Sequence, residues 1–114
     1  MKKILALTLL FLASCNQPNV GADQYQFGKK QYENSAVAVN IVTYKTKADL
    51  LRASRKYGVN NPDLVAFSLL SPIRTDVCEI HMMDPSVSYQ PEFVGHEFLH
   101  CVYGQWHTNN ASRS

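Results

Sequence analysis

Apolar and polar residues divide the chain into three stretches of different character. A basic start and an uncharged apolar run come first, a polar, turn-rich stretch with isolated aromatic residues follows, and regular periodicity begins at Ala36. This pattern predicts a signal peptide over residues 1–14, a flexible tether over residues 15–35 and one folded domain over residues 36–110. The chain has 114 residues, so a second domain does not fit.

Periodicity within the folded stretch predicts three strands and two helices. Thr46 is a good helix N-cap and Gly58 a good helix stop, and Pro91 suits the first position of the second helix. The expected order is strand 36–44, helix 46–57, strand 64–70, strand 77–83 and helix 91–103. That order predicts an α+β domain.

Two expectations concern the position of the core. Alternation along strand 77–83 places Cys78, Ile80 and Met82 on one face, which we take as the face that contacts the core. Helix 91–103 is apolar almost all round, which predicts a central rather than a superficial position in the domain.

The end of the apolar leader carries a modification signal. Leu12-Ala13-Ser14-Cys15 resembles the lipobox of bacterial lipoproteins, in which cleavage before the cysteine leaves it carrying a diacylglycerol and an acyl chain. The resemblance implies a mature chain that begins at Cys15 and is held on a membrane by lipid. Asn16 favours the outer membrane, facing the periplasm. The alternative is a plain secretory signal with an incidental cysteine.

Charge and cysteine content limit the classes of function. Without the two lysines of the leader, the chain has 9 basic and 9 acidic side chains, so we expect no nucleic-acid partner. We expect a monomer. If Cys15 carries lipid, Cys78 and Cys101 remain, and an oxidising compartment is expected to pair them as a disulfide. Two buried free thiols are the alternative.

A five-residue motif in helix 91–103 carries candidate chemistry. His96-Glu97-Phe98-Leu99-His100 is an H-E-x-x-H sequence. Residues four apart share a helix face, so both imidazoles can approach one zinc ion. Glu97, about 100° round the helix from His96, can reach a water molecule at the metal without ligating it. A purely structural role for the two histidines is the alternative.

A catalytic zinc needs a third protein ligand. The residues after His100 include no Asp or Glu, so His107 is the candidate, with Glu79 or Asp84 next in line. Gly104 can end the helix and turn the chain back so that His107 reaches the same metal. A solvated tail histidine is the alternative for His107.

The motif and its continuation resemble the zincin superfamily of metallopeptidases, and more narrowly the metzincin pattern H-E-x-x-H-x-x-G-x-x-H. This chain has one additional residue before Gly104 and no methionine beyond Met83. The resemblance implies a small zincin-like domain with the motif on its last helix, zinc held by the three histidines and Glu97 as general base. It also implies that strand 77–83 is the edge strand with which an extended substrate pairs.

These features predict a lipid-anchored zinc metallopeptidase that acts on a protein or a peptidoglycan peptide in the cell envelope. A second hypothesis is a non-enzymatic lipoprotein that binds or occludes an envelope partner, with zinc structural or absent. Glu97 separates the two, because only the hydrolase depends on its carboxylate. His81 is predicted to be an ordinary strand residue that takes no part in zinc binding.

Overall fold

The computed structural model describes Gly21 and residues 23–107, which form a three-stranded sheet with a helix on each face. The elements are β1 (Ala38–Tyr44), α1 (Lys47–Lys56), β2 (Ala66–Leu70), β3 (Val77–Met83) and α2 (Pro91–Tyr103). The predicted α+β order is therefore confirmed. β3 and α2 have the predicted bounds, whereas β1 and β2 begin two residues later than predicted.

Local signals account for the helix boundaries. The Thr46 hydroxyl accepts a hydrogen bond from the Asp49 amide at 3.1 Å and so caps α1. Gly58 follows the helix with a φ of 82°, which a residue without a Cβ adopts at no steric cost. Pro91 opens α2, where a missing N–H removes no helical hydrogen bond.

β3 is the central strand of the sheet, with β1 parallel to it on one side and β2 antiparallel on the other. The prediction that β3 is a substrate-binding edge strand is therefore wrong, because neighbouring strands occupy both of its edges. Alternation reveals which face a side chain takes but not where its strand lies within a sheet. The edge strand that packs against α2 is β2.

Apolar side chains cover both faces of the sheet. The cluster on the α1 face consists of Leu50, Val59, Leu64, Phe67 and Met83, and the cluster on the α2 face consists of Cys78, Ile80 and Cys101. Cys78 and Ile80 face the core as predicted, but the opposite face of β3 is buried as well. The prediction of a single core face was thus incomplete.

The predicted central position of α2 is also wrong. The helix lies on one face of the sheet, and Phe98 and Leu99 are 37% and 38% exposed. Its buried side chains are His96, Glu97, His100 and Cys101. The apolar residues of α2 therefore do not all contribute to the core, and three of its four buried side chains are the polar residues of the motif.

The predicted disulfide is present and joins β3 to α2. Cys78 and Cys101 are bonded, with their Cα atoms 5.5 Å apart and 23 positions apart in sequence. A cross-link that closes a loop of this length stabilises the fold by about 3 kcal/mol in the loop-entropy description. The bond therefore fixes the motif helix against the middle of the sheet.

Residues 23–35 differ from the predicted flexible tether, because they lie against the end of α2. The amides of Gln31 and Tyr32 donate to the Tyr103 carbonyl, and the Asn34 side chain donates to the Cys101 carbonyl. The last carbonyls of a helix lack partners within the helix, so a neighbouring segment that supplies donors is held there. The composition of a segment alone does not predict that it docks on a helix end in this way.

The predictions for residues 1–20, which include the signal peptide and lipidation at Cys15, lie outside the described residues. Across the part of the chain that the structure describes, no helix has the length and apolar character needed to cross a membrane.

Candidate metal centre

The H-E-x-x-H segment lies within α2, where Glu97 faces β2 while His96 and His100 pack against Trp106 beyond the helix end. His96 and His100 are 3% and 2% exposed, and their Nε2 atoms are 3.2 Å apart. Two nitrogens that ligate a tetrahedral zinc ion, each at about 2.0–2.1 Å, are separated by about 3.3 Å. The two imidazoles therefore already have the spacing of a pair of zinc ligands.

Hydrogen bonds at the other ring nitrogens assign the tautomers of both imidazoles. His100 Nδ1 lies 2.7 Å from the Gly104 carbonyl oxygen, and His96 Nδ1 lies 2.9 Å from Oδ2 of Asp23. A carbonyl and a carboxylate only accept, so each Nδ1 carries the proton and each Nε2 presents a lone pair. Two lone pairs that face one another at 3.2 Å suit a shared cation.

His107 joins this pair from beyond the end of the helix. Gly104 ends α2 with a φ of 71°, as the sequence predicted, and the backbone of His107 then pairs with Phe27 in an isolated bridge. One ligand nitrogen from each of the three histidines lies within 4.8 Å of the others. Nε2 of His107 is buried without a hydrogen-bond partner among the described residues, and a metal ion would satisfy it.

Burial keeps the imidazoles of His100 and His107 neutral. It lowers the pKa of His100 to about 4, against a hydrogen bond to the Gly104 carbonyl that favours the protonated ring. Burial also lowers the pKa of His107, and the neighbouring His96 adds to that effect. Neutral imidazole is the form that binds metal, so at neutral pH these two side chains need not lose a proton to act as ligands.

Glu97 lies beside the cluster, between α2 and the edge strand β2, and is 2% exposed. The hydroxyl and backbone amide of Ser68 in β2 hydrogen-bond to its carboxyl group, while Oε1 has no partner within the described residues. Burial raises the pKa of Glu97 to about 8, although the hydrogen bonds from Ser68 oppose the shift. A divalent cation nearby would favour the ionised carboxylate.

The structure does not bring the two reserve ligands to the cluster. Glu79 hydrogen-bonds to His81, and Asp84 accepts from Ser86. Among residues 23–107, the three histidines of the cluster form the group whose ligand atoms are close enough together to hold a metal ion. His81 lies in β3 as predicted, is 4% exposed and belongs to the α1 face of the sheet.

Sequence reasoning missed the residues that the N-terminal segment, residues 23–35, contributes to the site. Besides the Asp23 contact, the ring of Tyr25 lies 4.4 Å from that of His96 and 4.8 Å from that of His107. A cavity of about 530 Å³ lies between this segment and α2, with His96 in its wall. The alternation of Tyr25 and Phe27 with polar residues was the available signal for these two rings, because it is typical of an extended segment with one face covered.

Neither a family model, nor a curated protein, nor a solved structure matches the chain. The chemistry of the site is therefore the basis on which a function is assigned.

Proposed function

We propose that this protein is a zinc-dependent metallopeptidase of the zincin type. His96, His100 and His107 would hold the metal, and Glu97 would be the general base. The observation that carries the proposal is the convergence of three imidazoles next to a buried carboxyl group with an unpartnered oxygen. Imidazole nitrogens suit zinc, and three protein ligands leave one position for reactants.

The chemistry divides between the metal and Glu97. A bound zinc ion would polarise the scissile carbonyl and activate water for attack. Ser68 holds the Glu97 carboxyl against β2, and the unpartnered Oε1 can accept a proton from water. The protonated carboxyl then returns that proton to the leaving amine, so Glu97 ends the cycle in its starting state.

On this proposal β2, rather than β3, is the edge strand along which an extended substrate binds. It is antiparallel to β3, it packs against α2, and the Ser68 amide donates a hydrogen bond to Glu97. An extended peptide that adds to the edge of a sheet gains backbone hydrogen bonds without regard to its sequence. A peptide along the outer edge of β2 would present its carbonyl groups next to Glu97.

A second candidate function is favoured by the closure of the site. His96, His100 and Glu97 are each at most 3% exposed, and Tyr25 covers two of the imidazoles. Closed coordination is typical of structural zinc, whereas a catalytic site keeps one position open. On this alternative the protein is a binding lipoprotein whose zinc stabilises the fold.

The cellular setting is part of the proposal. Lipid attached to Cys15 would hold the domain at the outer membrane, facing the periplasm, where proteins and peptidoglycan peptides are the available substrates. The oxidising character of that compartment agrees with the disulfide between Cys78 and Cys101.

Replacement of Glu97 by Gln tests the enzyme hypothesis. The substitution keeps shape and volume but removes the base, so zinc content should be unchanged while hydrolysis of a peptide and peptidoglycan library falls by about 10²- to 10⁴-fold. Glu33→Gln, at an exposed side chain paired with Lys30, is the matched control and should keep full activity.

Metal content is measured in the same preparations. His107→Ala should weaken zinc binding, whereas His81→Ala should leave the stoichiometry at one zinc per chain. Equal turnover by the parent and by Glu97→Gln would reject Glu97 as the base. Full zinc content without cleavage by either protein would favour the binding lipoprotein.

A further inference from the structure

We propose that Asp23 is a positioning residue of the metal centre. Its carboxylate fixes the ring orientation and the tautomer of His96, and it thereby makes residues 23–27 of the N-terminal segment part of the zinc site. This inference rests on the proposed function in that it takes His96 as a metal ligand.

The contact between Asp23 and His96 is direct and largely withdrawn from solvent. Oδ2 of Asp23 lies 2.9 Å from Nδ1 of His96, with the two side chains 11% and 2% exposed. The other carboxylate oxygen, Oδ1, accepts from the Tyr25 amide at 3.2 Å. The segment therefore holds the carboxylate at one oxygen while the other meets the imidazole.

A tight turn presents Asp23 to the helix. The Gly21 amide donates to the Tyr25 carbonyl, the Gln24 amide donates to the Gly21 carbonyl, and Gln24 has a φ of 74°. A non-glycine residue with positive φ is uncommon and needs support from its surroundings. Contacts of the Tyr25 ring with two imidazoles of the cluster supply such support.

The two helical ligands are oriented in different ways. His100 uses the backbone carbonyl of Gly104, which no side-chain substitution removes, whereas His96 uses a side chain 73 residues away in sequence. Partners of this kind at a ligating imidazole usually contribute about 10- to 100-fold in metal affinity. Asp23 can therefore be altered without a change in any ligand.

Coupling between the segment and the metal follows from this geometry. Asp23 contacts one ligand, Phe27 pairs with another, and the Gly28 amide donates to the Trp106 carbonyl at 2.8 Å. If docking of the segment favours zinc binding, zinc binding favours docking by the same factor. Zinc should therefore slow hydrogen exchange at the Gly28 amide.

Zinc titration of four proteins tests the proposal, at a temperature where all four are folded. Asp23→Ala should bind zinc about 10- to 100-fold more weakly than the parent. Asp23→Asn keeps an accepting oxygen without the charge and should fall between the two. Asp63→Ala, which removes an exposed carboxylate in the loop between α1 and β2, is the control and should match the parent.

The tautomer of His96 distinguishes a positioning role of Asp23 from a merely structural one. A structural role alone would not change which ring nitrogen of His96 carries the proton. Nitrogen chemical shifts of the metal-free parent should show the proton on Nδ1, and in Asp23→Ala it should move towards Nε2. Unchanged zinc affinity, or an unchanged tautomer, in Asp23→Ala would overturn this inference. A parent protein that binds no zinc would instead reject the proposed function.

Discussion

Replacement of Gly104 by Ala should destabilise the domain more than either of two matched glycine replacements. Gly104 ends α2 with φ 71° and ψ −135°, a region that only glycine occupies readily. A Cβ there would also lie 2.8 Å from Cε2 of Tyr32 and 2.9 Å from Cβ of Gln31. Both neighbours belong to the N-terminal segment that docks on the helix end.

The magnitude follows from two separate penalties. The backbone conformation costs a residue with a Cβ about 1–3 kcal/mol, and forcing an additional carbon into packed surroundings costs about 1–3 kcal/mol more. The sum is about 2–5 kcal/mol, a large part of the 5–15 kcal/mol that a domain of this size usually has. Gly104→Ala should therefore fold poorly or melt early.

Two other glycines separate these penalties. Gly58 has a φ of 82° but nothing within 4 Å of an added Cβ, so Gly58→Ala should lose about 1–2 kcal/mol from the backbone alone. Gly95 lies inside α2 with the same open surroundings, and Gly95→Ala should gain about 0.5–1 kcal/mol. Gly95→Ala should thus be the most stable of the three variants and Gly104→Ala the least stable.

Urea unfolding followed by the fluorescence of Trp106 is a suitable assay. The chain has one tryptophan, it is 4% exposed, and it lies two residues beyond Gly104. Each curve is recorded with and without zinc, because the stabilisation that zinc provides reports its affinity. If Gly104→Ala and Gly58→Ala lose the same stability, the docking of residues 31 and 32 against Gly104 is refuted.

Two further predictions concern the cysteines. Alanine at both Cys78 and Cys101 should lower the free energy of unfolding by about 3 kcal/mol, and thiol labelling of the unfolded, unreduced parent should find neither residue free; quantitative labelling of both would contradict the disulfide. Mass spectrometry of the mature protein should show an acylated N-terminal Cys15, and Cys15→Ala should leave the membrane fraction; an unmodified N-terminus elsewhere in the chain would end the lipoprotein hypothesis.

Local signals predicted the elements, whereas the arrangement of the sheet could not be read from the sequence. The cap at Thr46, the proline at Pro91 and the glycine at Gly104 act within one turn of the chain, so their effects are visible in the sequence. The central position of β3 depends on the path of the whole chain. After β1 the chain forms α1 and β2, and it then returns so that β3 lies between the two earlier strands. No periodicity within β3 encodes those neighbours, although burial of its two faces agrees with them.

The candidate site also has a part that the sequence predicts and a part that it does not predict. The spacing of His96 and His100 is a property of any α-helix, so their convergence was predictable before the structure. Asp23 meets His96 across 73 positions and Ser68 meets Glu97 from another element, so neither contact has a local signal. The partners that orient the motif come from the tertiary fold.

His107, the proposed third ligand, is placed by a local signal and a tertiary contact together. One additional residue before Gly104 rotates the end of α2 by about 100° relative to the metzincin pattern, which on a helix alone would direct the following chain elsewhere. His107 nevertheless reaches the cluster, because its backbone pairs with Phe27 after the turn. Pairing with the N-terminal segment thus brings His107 to the cluster, and variants that release this segment should disturb His107 as well as His96.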